Sequence, residues 1–123
     1  MDSRFASLFV SRIIFVAPEV RAVLVLHEAL GDHYREQQRW PDAMASYQRA
    51  FAATNPDATT WAARLLKLAN VVAAADRGAE LGALIRAHAA RFAKDPADPV
   101  VSDDQRAVFQ ALAERVRAAG GGH

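Results

Sequence analysis

Proline stands at positions 18, 41, 56, 96 and 99 of this 123-residue chain and nowhere else, and glycine only at 31, 78, 82 and in the 120–122 run. Proline cannot continue a helix interior but suits a first turn, and glycine favours turns and helix ends, so these positions predict where helices start and stop. The stretches between them are rich in alanine, a strong helix former. A first helix is expected from Ser3, a candidate cap, to about Val16, where Ala17-Pro18 breaks it. A second follows from Pro18 to about Gln38, with apolar residues at 23, 26, 30 and 34. A third starts at Pro41 and ends by about Thr54, before Asn55-Pro56-Asp57. The fourth begins at Asp57 or Ala58 and runs through WAARLLKLANVVAAA to a turn at Asp76-Arg77-Gly78. The fifth, AELGALIRAHAARFAK, reaches Lys94, and the loop DPADPVVSDD leads to a sixth, DQRAVFQALAERVRAA, capped by Ser102 or Asp103. The runs IIFV and VVAAA are strand-like only in isolation, since helical patterning continues through both. The expectation is an all-α fold of six antiparallel helices, one domain over residues 1–119, with the GGGH end at 120–123 as a flexible tail.

Hydrophobic residues make up 52% of the chain, enough to bury a core for one domain of this length. Fifteen Lys and Arg stand against 14 Asp and Glu. That balance argues against a dedicated nucleic-acid or membrane-surface footprint. With no cysteine, disulfides, thiol catalysis and cysteine-bound zinc are excluded. Residues 5–16, FASLFVSRIIFV, are strongly apolar. Extending them to Leu26 gathers Arg12, Pro18, Glu19 and Arg21, and each charge near a bilayer centre costs about 2.5–3.5 kcal/mol. No spanning helix is expected, and the chain reads as soluble and cytoplasmic.

The string HEALGDHY at 27–34 opens like the zinc-peptidase motif, which places two histidines four apart on one helix face. Here Gly31 stands at the fourth position and the next histidine is His33. Six residues on a helix separate the rings by roughly 240°, so they diverge. No metal site is expected. No phosphate-cradling glycine loop and no Gly-x-Ser-x-Gly elbow occurs. Asp103 and Asp104 fit the positive end of the sixth helix. Arg64, Lys67, Arg86, His88 and Arg91 read as a solvated charged face, or as a weak basic patch for an acidic or phosphorylated peptide.

The stretch from Leu24 to Asp57 resembles one tetratricopeptide repeat (TPR). Leu30-Gly31 matches the family's Leu-Gly pair, and Tyr34 and Trp40 its aromatic positions. Ala43, Tyr47 and Ala50 match the small, aromatic and small positions of the second helix, and Pro56 closes the unit. His27 stands where the family has Trp or Leu. The resemblance implies an α-solenoid hairpin in which Gly31 and Ala43 face each other. Trp61, with Ala79, Gly82 and Ala83, suggests a degenerate second repeat, and the sixth helix would be the terminal cap such arrays need.

A non-catalytic protein-interaction module follows from that resemblance, with a peptide or partner helix lying on the concave face and no cofactor. The positions implied to face the groove are Val25, Glu28, Asp32, Arg35 and Glu36. Their acidity suggests a ligand with basic or amide groups. Residues 5–16 keep a second reading open. They are apolar around nearly the whole circumference of a short helix, which implies burial on most sides. Val10 and Ile14 would then form an association face, for a second copy of this chain or for the other subunits of an adaptor or chaperone complex.

Overall fold

The computed structural model describes residues 18–93 and 98–120. These form five α-helices and no strand: α1 (Pro18–Glu36), α2 (Trp40–Ala52), α3 (Trp61–Ala74), α4 (Gly78–His88) and α5 (Asp103–Gly120). The helix expected over residues 3–16, with Val10 and Ile14, lies outside the described residues. So does 121–123, while α5 runs on to Gly120.

The ends of the helices follow from local hydrogen bonding. At the end of α1, Gln38 N–H donates to Arg35 O (2.9 Å) and Arg39 N–H to Tyr34 O (2.9 Å). Gln38 adopts a left-handed φ of 58°. This is the Schellman closure, which satisfies the last carbonyls and usually places glycine where Gln38 stands. The end of α3 repeats it, with Asp76 N–H on Ala73 O, Arg77 N–H on Val72 O, and a φ of 59° at Asp76. α5 opens with a capping box: Gln105 N–H donates to Ser102 Oγ (3.2 Å), and Ser102 N–H to Gln105 Oε1 (2.9 Å). α3 starts at Trp61, later than expected, because residues 55–60 form turns. Asp57 N–H bonds the Asn55 side chain, and Ala58 N–H bonds Asn55 O. α4 stops at His88, short of Lys94, where bonds from Arg91, Phe92 and Ala93 to carbonyls three residues back tighten the chain.

α3 is the centre. It packs on α2, α4 and α5, and its buried residues from Trp61 to Ala73 cover more than half of the helix circumference, leaving Ala63, Asn70 and Ala74 exposed on the remaining side. Its wide apolar face lets one helix serve three neighbours. The core continues through Tyr47 of α2, Leu81 and Ile85 of α4, Phe109 and Leu112 of α5, and Phe92, Val100 and Val101 between them. Phe92 and Phe109 stack with ring centroids 4.1 Å apart. α1 packs on α2 alone to any large extent. Their contact is close because a Cβ on Gly31 would stand 2.5 Å from the Tyr47 ring. The atoms nearest to Gly31 thus belong to Tyr47, one turn on from Ala43, which is itself fully buried.

Candidate interaction face on α1

The α1 helix has three kinds of surface. Its packed side carries Leu24 and Gly31. Along the edge facing α3 run Glu28 and Asp32, one turn apart. Its open side carries Ala22, Val23, Val25, Leu26 and Ala29, all exposed. Val25 and Leu26 are each 56% exposed and Val23 46%. Ala22, Val25, Leu26 and Ala29 line a shallow apolar hollow.

The edge is a network of compensated charges. Lys67 Nζ lies 2.8 Å from Glu28 Oε2 and 3.1 Å from Asp32 Oδ1. Arg64 Nε donates to Glu28 Oε1 at 3.0 Å, and its Nη1 donates to the hydroxyls of Thr54 and Thr60. The Tyr47 hydroxyl donates to Asp32 Oδ1. Burial alone would raise the Glu28 carboxyl. Hydrogen bonds from Lys67 and Arg64, with their charges, overcome that and hold it below its ordinary pKa. Asp32 is likewise opposed by burial and held low by Tyr47 and Lys67. Burial would lower Lys67, yet Glu28 and Asp32 keep it above its usual value. Burial and then Asp32 raise Tyr47, which remains a phenol donor.

The residues implied to face the groove therefore divide. Val25 and Glu36 are open to solvent. Arg35 is 43% exposed and lies 3.7 Å from Asp32. Glu28 and Asp32 stand beside them with their charge met from α3. Leu26, Ala22 and Ala29 join Val25 on the open side. Sequence reasoning missed them as a group, although VRAVLVL already shows apolar residues on too many sides for one buried stripe.

The five residues read as a charged face or basic patch separate into different environments. Arg64 and Lys67 turn to α1. His88 packs against the rings of Phe51 and Trp61, and burial lowers its pKa. The Arg91 guanidinium lies 4.8 Å from the Trp61 ring centre and pairs with Asp98 at 2.7 Å. Arg86 borders a cavity with α5. Of the two histidines in HEALGDHY, His27 is partly buried and His33 exposed. Among the described residues no group of three or more His, Asp or Glu is placed to hold a metal ion. No helix there is long and apolar enough to cross a membrane.

No family model, no curated protein and no solved structure matches this chain.

Proposed function

We propose that this chain is a non-catalytic protein-interaction module, a TPR-like stack of helical hairpins closed by α5, which takes a partner helix or peptide along the open side of α1. The observation that carries this is the exposure of Val23, Val25 and Leu26 within four consecutive residues. Clustered exposed apolar residues on one helix are expensive in water and mark contact surfaces. The agreements with the repeat family from Leu30 to Pro56 support the same reading. Because Lys67 and Arg64 compensate Glu28 and Asp32, recognition is chiefly apolar, with Arg35 and Glu36 at the rim supplying orientation.

A photo-crosslinking residue at position 25, compared with one at exposed position 49, tests this in the native cell. A discrete adduct from position 25 alone is expected. Adducts at neither position, or the same adducts at both, would refute the α1 surface. The apolar residues 5–16 favour a second reading, self-association involving Val10 and Ile14. That reading predicts an adduct of twice the chain mass and a sedimentation coefficient that rises with concentration.

A further inference from the structure

The end of the molecule built from α3, α4 and α5 holds a cavity of about 490 Å³, none of whose lining residues belongs to α1 or α2. That volume falls in the range of roughly 300–1,000 Å³ typical of small-molecule sites. Its apolar wall is made by Ala73, Leu81 and Val116, and its polar rim includes Arg77, Arg86 and Arg115. We propose that this cavity binds a small amphiphilic monoanion, an apolar body bearing a carboxylate head, with Arg86 and Arg115 on the head and Leu81 and Val116 against the body.

The three arginines differ in how far their donors are already used. Arg77 Nη1 bonds Glu80 at 3.1 Å, an exposed pair. Arg115 Nη2 donates to Ala73 O at 3.2 Å, which ties its guanidinium to the last turn of α3. The remaining N–H groups of Arg115 are not used in that bond. Arg86 makes no ion pair or hydrogen bond among the described residues. Its position is nonetheless defined, because it lies over Gly82, one turn earlier on α4. A Cβ on Gly82 would stand 3.2 Å from Arg86 Nη1 and 3.5 Å from Val116 Cγ1. The missing side chain lets the guanidinium and α5 share that space. Asp76 also lines the cavity and opposes an anion. It is a single carboxylate against two guanidinium groups not engaged with acids. Guanidinium groups suit carboxylates because their planar forks donate two parallel hydrogen bonds. The apolar wall selects a head group that carries a hydrocarbon body.

The test uses the full chain, labelled for amide NMR and titrated with octanoate and, separately, with octylamine. Octanoate should give saturable shifts at residues 73, 78, 82 and 116, with octylamine at least about tenfold weaker there. Arg86 is exposed and makes no ion pair, so Arg86→Gln should leave the melting temperature unchanged while octanoate affinity falls about ten- to a hundredfold, the range that a lost charge-assisted hydrogen bond gives. Equal shifts with octylamine, shifts confined to residues 22–29, absence of saturable shifts, or an unaltered affinity in Arg86→Gln would each overturn the proposal.

Discussion

Where α1 faces α3 the contact is charged, with Lys67 and Arg64 between Glu28 and Asp32, and all four side chains remain 14–35% exposed. Where the start of α3 meets the ends of α2 and α4 and the chain beyond α4, the contact is made of rings. Phe51, Trp61 and His88 pack edge-on or tilted, Trp61 stacks on Phe92, and Phe92 on Phe109. The first contact is water-accessible and responds to salt and pH. The second has a buried centre in Trp61, Phe92 and Phe109, and Phe92 is fully buried in it. The two ends should differ in stability and therefore in the freedom to rearrange. The α1 helix, with one apolar residue buried among its described side chains, is the element most able to open locally.

The largest effect belongs to the ring stack. Phe92→Ala removes a fully buried ring that touches both Trp61 and Phe109, and should cost about 3–5 kcal/mol in chemical denaturation. A cost no greater than that of any α1 substitution would mean that the ring contact does not dominate.

Next comes the close approach within the first hairpin. Gly31→Ala gains helix propensity of about 1 kcal/mol. Its new Cβ, however, would stand 2.5 Å from a Tyr47 ring that is 2% exposed and bonded through its hydroxyl to Asp32. A net loss of about 1–3 kcal/mol is expected from overpacking. Amide exchange should accelerate in α1 and α2 more than in α5. Uniform acceleration would show instead that α1 does not open independently.

The charged contact should respond less. Lys67→Met removes one cation from two carboxylates and, at these exposures, should cost about 1 kcal/mol at pH 7. Glu28 and Asp32 have folded-state pKa values below their ordinary ones. Their contribution is therefore complete above the ordinary carboxylate range, near pH 4, and is lost as pH falls through the lowered values. Lys67 is raised, so its contribution holds below its ordinary pKa and fades only as pH climbs through the folded value. The stability gap between wild type and Lys67→Met should thus be flat around neutrality and narrow below about pH 4, and also in high salt. A gap that widens on acidification would contradict the network.

Local signals made much of this fold legible. Pro18 and Pro41 lie at or next to the starts of α1 and α2, Asp76-Arg77 turns the chain into α4 at Gly78, and Ser102 caps α5. Features that depend on distant partners were not. Nothing near Glu28 points to Arg64, 36 residues away, and either end of such a pair looks like an ordinary solvated charge. The early end of α4 was hidden as well, because HAARFA has good helix formers and no breaker. Phe92 leaves the helical path for its stack on Phe109, a tertiary gain that outweighs local propensity. The open side of α1 was only half legible, since apolar periodicity shows that a helix is amphipathic but not which apolar residues the fold leaves uncovered.

The smallest effect separates two helix ends that share one geometry. Gln38 and Asp76 occupy the same left-handed position of a Schellman closure, with φ values of 58° and 59°. A side chain with a Cβ pays about 1–2 kcal/mol there, while glycine pays none in the folded state but gives back about 0.5–1 kcal/mol through its freer unfolded chain. Gln38→Gly should therefore stabilise by about 0.5–1 kcal/mol, a rise of a few degrees in melting temperature. Aspartate tolerates the left-handed region better than glutamine does, so Asp76→Gly should gain less. The site of the gain also matters. If α1 opens before the rest, Gln38→Gly should slow amide exchange in α1 and leave α5 nearly unchanged, because the closure it improves belongs to the hairpin alone. An equal gain at both positions would mean that side-chain identity is immaterial at these turns. A gain spread evenly over all five helices would mean that the two ends of the molecule unfold as one.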